Sequence, residues 1–519
     1  MLPFSIYQKA TTIDLQEAAI NMSSSLPALP KLMTMKWSSL NDSNNFDVVN
    51  PATGQVLTTV TGGDIDTAAA AVEASQRAFN SWRWLPPTQR AGLLLKCSEA
   101  LEKHSEELAH LLCLENGKPY QDALLFDVGF LVGAFRYFGS LADKLPDQFF
   151  DRGSMYATVM REPYGVCVGI LPFNWPPIHL GGKLAPCLAA GNTMIIKPGD
   201  QTPLTVLRAV EILQTVLPPD VVIAVPARGP VVPQALVANP AVRAVSFTGS
   251  TAAGAAVART AADTIKPATL ELGGKNAMIV FEDTELDRAV ATALEGSFFN
   301  KGEACTATSR LLVHEAVHDA FVDKLSAGVR KIVTGNGMDP KTHVGPCVNK
   351  ASQERVLGYI QKGKEEGATV AAQGALSSNP ELQDGSFVAP TLFTNVTPQM
   401  KIAREEIFGP VSVVIKFSTE DEAVSISNDS VYGLTAVLFS KDHERCLRVA
   451  RKLDVGMIFF NQYNRAVLGT PFGGANHSGY GREHCIDTLR EWTRAKAIHQ
   501  PSGLHAVPQW RAVKDCLQN

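Results

Sequence analysis

Short apolar runs alternating with helical stretches constrain this chain more than any other feature. From Val166 onward, "CVGIL", "TMIIK", "VVIAV" and "AVSFT" read as buried strands, each followed by a Gly/Pro loop and a candidate helix. Strand and helix in regular alternation argue for an α/β fold with a parallel, doubly wound sheet. A second alternation begins at "NAMIVFE" (276–282) and runs through "SRLLVHE", "VSVVIKF" and "TAVLFS" to "GMIFFN". Two such units in one chain place a cleft between them. Ahead of both, "DTAAAAVEASQRAFNSW" carries apolar residues at helical spacing behind an acidic start. "QRAGLLLKCSEALEKHSEELAHLLCLENGK" predicts two more helices ending near Gly117.

A length of 519 residues suffices for two or three domains. With 19% charged and 45% hydrophobic residues, the composition is that of a globular enzyme and not of a disordered chain. Net charge is −4 with no long run of one sign, which leaves no footprint for nucleic acid or an anionic membrane. Nor does any apolar run approach the roughly 18 residues that span a bilayer. Nine cysteines, irregularly spaced and without a C-x-x-C pair, fit a reducing compartment. The first 36 residues read as a polar extension with the features of neither a signal nor a transit peptide. Asp14 and Glu17 come early, and the first arginine is Arg77. The cytoplasm is therefore the expected location.

Cys305 sits among small residues in "FFNKGEACTATSR" (298–310), and local pattern alone leaves core filler, disulfide half, metal ligand and nucleophile open. "VRAVSFTGSTAAGAAVA" (242–258) runs from a strand through Gly249, Ser250 and Gly254 into an alanine-rich helix. Backbone N–H groups and a helix N-terminus so arranged can hold a pyrophosphate. Thr251 breaks the G-x-G-x-x-G fingerprint, however, and a tight structural turn fits as well. "MIIKPGD" (194–200) sets Lys197 and Asp200 on a proline-bent loop, either beside a nucleotide ribose or as a solvated charge pair. In "ILPFNWPPIHLGGKLAP" (170–186), Asn174 lies between aromatics and prolines, as an oxyanion donor or as a turn or capping residue. "TLELGGKN" (269–276) ends an apolar strand with Glu271, either a general base with a raised pKa or a salt-bridged carboxylate. "HEAVH" (314–318) has the outline of a zinc motif, but His314 falls at a strand end and His318 opens a helix, so no metal is expected.

In chain order, "PFNWP", "KPGD", "FTGSTAAG", "LELGGKN", "FFNKGEAC", "EEIFGP" and "PFGGANHSGYGRE" together resemble the aldehyde dehydrogenase superfamily, from about Phe46 to Ile498. That family's cofactor loop is itself a G-x-T-x-x-G turn, which accounts for Thr251. The resemblance implies a Rossmann-like dinucleotide-binding domain over 37–146 and 164–273 and an α/β catalytic domain over 274–484. A small oligomerisation element with the C-terminal tail would occupy 147–163 and 485–519. It further implies oxidation of a small-molecule aldehyde to the acid with NAD, NADP being less favoured, by a homodimer or homotetramer. Cys305 would be the nucleophile, and Asn174 with the Cys305 N–H would hold the oxyanion. Glu271 would be the base, with Lys183 near it and its water path. Lys197 and Asp200 would face the adenosine ribose, and Gly249, Ser250 and Gly254 would form the pyrophosphate turn. Glu406 would hold the nicotinamide ribose with Phe408 packed nearby, and Trp175, Phe299 and Phe472 would line the substrate tunnel.

This sequence departs from the family pattern in several places. Asp200 replaces the usual glutamate, the aromatics around Asn174 are exchanged, and Lys301-Gly302-Glu303 replaces Gln-Gly-Gln, bringing two charges towards Cys305. Gly182 and Ala466 stand where many relatives carry bulky aromatics. That predicts room for a long or ring-bearing aldehyde unless Ile178 or Leu468 fills it, with Arg465 as a polar far end. The alternatives are a coenzyme A-acylating enzyme and a binding protein without turnover. Glu271 argues against the first, and retention of both Cys305 and Glu271 argues against the second.

Overall fold

The computed structural model describes residues 44–463 and 467–517. The expected extension at 1–36, and the positions of Arg465 and Ala466, lie outside the described residues. Two largely parallel sheets carry the fold. The first runs Gly479–Tyr480, Ala268–Glu271, Val242–Thr248, Val166–Ile170, Thr193–Lys197 and Val222–Ala224, with only Gly479–Tyr480 antiparallel. From Val166–Ile170 the chain builds outward on one side, then returns to Val242–Thr248 on the other. Strand order therefore reverses between those two strands. Their carboxyl ends, Ile170 and Thr248, border the crevice where a doubly wound sheet binds its ligand.

The second sheet runs Thr369–Gln373, Thr391–Thr394, Val411–Phe417, Arg310–His314, Ala277–Val280, Thr435–Phe439 and Met457–Phe460. Only Thr369–Gln373 is antiparallel. Ala277 and Ile279 enter one apolar cluster with Val356 and Phe393, while Met278 and Val280 enter another with Phe298 and Phe321. Both faces are buried, which is why these strands read as unbroken apolar runs. Gly479–Tyr480 comes from late in the chain yet pairs with the first sheet, Gly479 opposite Glu271 and Tyr480 opposite Leu270.

The expected helices form at Ile65–Trp82, Pro87–Lys103 and Ser105–Asn116. Asp64 caps the first by accepting the Thr67 N–H at 2.8 Å, and Gly117 ends the third in the left-handed region at φ 84°. The helical segment Tyr120–Leu141 is long and apolar enough to cross a membrane by length and composition. Here Leu131, Phe135 and Phe138 bury instead against Leu94 and Leu180. Its first turns include a π-helical stretch, Ala123–Val128. A third, antiparallel sheet joins Gln148–Asp151, Met155–Pro163 and Thr493–Pro501, and the last of these exposes every residue after Thr493.

Candidate active site

Glu271 closes the last parallel strand of the first sheet, opposite Thr248. The Gly249 N–H donates to its carbonyl at 3.0 Å, so the glycine turn and the candidate base share a hydrogen bond. The Glu271 side chain is 2% exposed, and neither carboxylate oxygen has a hydrogen-bond partner. Burial, and next the Glu483 charge, push its pKa well above the usual carboxylate range. It is not a salt-bridged glutamate.

Cys305 arrives from the other domain, on the loop before Arg310–His314. It is half-buried, whereas the other cysteines are buried except exposed Cys516, and none is in a disulfide. Asn276 anchors this loop. Its Nδ2 donates to the carbonyls of Cys305 and Ala307 at 2.7 and 2.9 Å, and its Oδ1 accepts the Thr435 N–H at 3.0 Å. The two glycines after Leu272 have separate reasons. A Cβ on Gly273 would lie 2.3 Å from a Glu406 carboxylate oxygen, and one on Gly274 would lie 2.5 Å from the Cys305 carbonyl oxygen. Glu406 and the Cys305 backbone can close on this turn only because both side chains are missing. Gly274→Ala should therefore displace the Cys305 backbone and lower kcat about 100-fold, the cost typical of a 1 Å misplacement. Steady-state rates together with an unchanged urea midpoint would separate this from unfolding.

Burial raises the Cys305 pKa, and the charges of Glu271 and Glu406 raise it further. The two charges expected beside it, Lys301 and Glu303, are not among its perturbers. Lys301 is held by the Asn116 carbonyl and by Asn116 Oδ1 at 2.8 Å, and lies 3.4 Å from Glu303. Glu303 Oε1 accepts the Val348 N–H at 3.0 Å. They form a neutral buried pair. The Lys183 charge acts on Glu271, and its Nζ donates to Ser246 Oγ at 2.8 Å and to Glu483 Oε1 at 2.6 Å. Against the upward push of burial, the Lys183 ammonium holds Glu483 below the normal carboxylate pKa. Asn174 is 3% exposed, and its Oδ1 has no partner. It caps nothing, since the N-cap of Pro176–Ala189 is Trp175.

The crevice residues fit a dinucleotide. Gly249 leads to Ser250, whose hydroxyl caps Thr251–Ala262 by accepting the Ala253 N–H at 3.3 Å. Gly254 lets that helix sit on the sheet, because a Cβ there would meet Leu272 Cδ2 at 2.4 Å. Such a turn, aiming a helix N-terminus at the crevice, suits a pyrophosphate. Lys197 is buried, not solvated, and is bonded to Asp200, whose other oxygen accepts the Gly229 N–H at 2.8 Å. Glu406 accepts the Gly274 N–H at 2.9 Å, and burial lifts its pKa to about 7. Phe408, at φ 53°, stands edge-on to Phe173 at 5.7 Å.

Phe299 meets Trp175 at 5.5 Å and Phe126 at 5.0 Å, and His484 lies between Phe130 and Phe472 at 4.7 and 4.9 Å. The room expected beside Gly182 is absent. His484 Nε2 lies 2.9 Å from where a Gly182 Cβ would stand, so His484 closes the space next to that glycine. Phe126, Phe130, Asn276, Glu483 and His484 were not singled out from the sequence, although Asn276 and Glu483 fall inside quoted motifs. His314 caps its helix by accepting the Ala316 N–H at 3.2 Å, and His318 bonds Asp319 at 2.7 Å.

Comparison with known proteins matches this arrangement. The pattern of the Aldehyde dehydrogenase family fits residues 37–498. The chain is 58% identical to aldehyde dehydrogenase citD of Monascus ruber over 490 residues, which is 94% of this chain and 98% of that one. It is 38% identical to cytosolic aldehyde dehydrogenase 1 of Mus musculus, covering 89% and 93%. The structure of an aldehyde dehydrogenase from Bacillus cereus in complex with NAD+ superposes with a TM-score of 0.86 at 39% identity, covering 88% of this chain and 93% of that one. A dinucleotide crevice beside a buried orphan carboxylate, a half-buried cysteine, and relatives matched over nearly their whole length lead to one conclusion: the chain belongs to the aldehyde dehydrogenase family of NAD(P)-dependent oxidoreductases.

Proposed function

We propose that Cys305 and Glu271 divide the oxidation of an apolar aldehyde to its acid between them, with NAD as the oxidant. The observation that carries this reading is the close approach of Glu406 to Gly273 and of the Cys305 backbone to Gly274, with the Glu271 carboxylate near enough to raise the Cys305 pKa. As a thiolate, Cys305 attacks the carbonyl carbon, and the π pair moves to oxygen. Asn174 and the Cys305 N–H stabilise that charge as it develops. Bound NAD supplies the acceptor for the hydride. Cys305 then carries the acyl group as a thioester, and Glu271 takes a proton from the water that cleaves it. Burial, which holds Glu271 above the usual carboxylate range, makes it a stronger base than an exposed carboxylate.

Lys197 and Asp200 would hold the adenosine ribose, and Asp200 repels a 2′-phosphate, which favours NAD over NADP. The NAD+ complex of the Bacillus cereus relative supports the same choice. Phe126, Phe130, Trp175, Phe299 and Phe472 support an apolar, ring-bearing or long aldehyde over acetaldehyde, each Å² of buried apolar area adding about 25 cal/mol. The exposed Thr493–Pro501 strand supports a homodimer or homotetramer through the third sheet. Nine unpaired cysteines support a reducing compartment, the cytoplasm. One assay tests the reading: reduced-cofactor absorbance with an aldehyde panel, NAD or NADP, and coenzyme A present or absent. The expected result is acid formation without coenzyme A, at least about tenfold higher kcat/KM with NAD, and a rise from acetaldehyde to decanal or cinnamaldehyde. A requirement for coenzyme A would overturn it.

A further inference from the structure

Glu115-Asn116-Gly117-Lys118 leaves the helix Ser105–Asn116 as a buried turn beneath the oxyanion loop. Gly117 combines φ 84° with a contact in which a Cβ would lie 2.7 Å from Pro346 Cγ, so no other residue suits the bend. Glu115 fixes the turn to the cofactor domain. Its carboxylate accepts the N–H groups of Leu204 and Thr205 at 2.6 and 2.9 Å, and the Thr205 hydroxyl at 2.5 Å. The next residues reach the loop that carries Asn174. Asn116 Nδ2 donates to the Phe173 carbonyl at 2.9 Å. Lys118 Nζ, paired with Asp127 at 2.9 and 3.0 Å, donates to the Asn174 carbonyl at 3.0 Å and lies 3.8 Å from the Trp175 ring centroid.

Those two carbonyls belong to the two peptide planes that flank the Asn174 Cα. A peptide plane is rigid, so holding both fixes φ and ψ of Asn174 and leaves only its side-chain torsions. The nucleophile loop joins the same clamp. Asn300 Nδ2 donates to the Asn174 carbonyl at 3.1 Å, and Lys301 Nζ donates to Asn116.

We propose that Asn116 and Lys118 are positioning residues that aim the Asn174 amide and lock its direction to the loop bearing Cys305. The proposal rests on the reading of Asn174 as an oxyanion donor. A donor stabilises developing charge in full only when it is already oriented, so loosening the clamp lowers the rate of the chemical step rather than cofactor affinity.

The test is a pair of mutant cycles in the full-length enzyme, read by the rate of the pre-steady-state NADH burst and by the NAD dissociation constant. One variant is Lys118→Met with Asp127→Leu, which removes a buried ion pair without stranding either charge. The other is Asn116→Asp, which loses the donor to Phe173 but keeps an acceptor for Lys301, so a folding failure of the first leaves the second. Each is made with Asn174 present and with Asn174→Ala. The expected result is a burst at least about tenfold slower with Asn174 present, unchanged NAD affinity, and no further slowing on Asn174→Ala. Equal slowing in both backgrounds, or none in either, overturns the clamp while the oxyanion reading stands. A normal burst in Asn174→Ala alone overturns both.

Discussion

Cys305→Ala should abolish aldehyde-dependent NADH formation, leaving less than about one part in 10⁴ of the activity, the scale on which nucleophile removal acts in enzymes of this kind. An aldehyde carbon has no electron pair that can expel a hydride. It must first become tetrahedral with a negative oxygen, and the thiolate creates that state. No other cysteine substitutes, because apart from exposed Cys516 the others are buried. The loop should survive the change, since Asn276 grips the Cys305 carbonyl and not its sulfur. Calorimetric NAD affinity should therefore stay within about twofold, a difference under 0.5 kcal/mol. Recovery of even one per cent of the wild-type rate would mean that another group attacks the aldehyde.

Glu271→Gln should separate the two halves of the reaction. One equivalent of NADH should appear in a burst, followed by steady turnover about 10²–10⁴-fold slower, the contribution of a positioned general base. The burst survives because glutamine, like protonated Glu271, removes a charge that opposes the Cys305 thiolate. The acyl enzyme should then accumulate as a mass increase on the protein. A fully inactive variant that still binds both ligands would count against the hydrolytic role. Stability supplies an independent check. Burial holds the folded-state pKa of Glu271 above its unfolded value of about 4.3, so the folded form binds the proton more tightly. That penalty is absent at low pH and grows as pH rises from about 4 through the raised pKa. Glu271→Gln should therefore melt above wild type at pH 8 and alongside it near pH 4. Wild-type turnover should climb with pH through the same interval, and the variant's should not.

Local patterns in the sequence carried much of this, but not its long-range partners. The strands around Ile170 and Ile279 were legible because burial on both faces leaves no polar position to break the run. Cys305 and Glu271 stand out as candidates because each lies in a short motif whose neighbours also have fixed geometry. The counter-ion of Lys183, Glu483, is 300 residues away, and no local spacing encodes that pairing. Lys301 and Glu303 read from sequence as charges near Cys305 because Asn116, which draws Lys301 aside, is 185 residues away. Gly182 looked like a void because the missing volume is returned by His484, from a different part of the chain.

The strand Gly479–Tyr480 also imposes an order of events on synthesis. Glu271 leaves the ribosome roughly 200 residues before Gly479, which pairs with it, and Ser478, whose carbonyl accepts the Leu272 N–H at 3.0 Å. At about 5–20 residues per second, that interval lasts about 10–40 s. Cys305 is made early in that interval, while the edge of the sheet that ends in Glu271 still lacks its partner strand. Until residues 478–480 are made, the Leu270–Leu272 edge lacks its partner, so the sheet that ends in Glu271 is completed late in the order of synthesis.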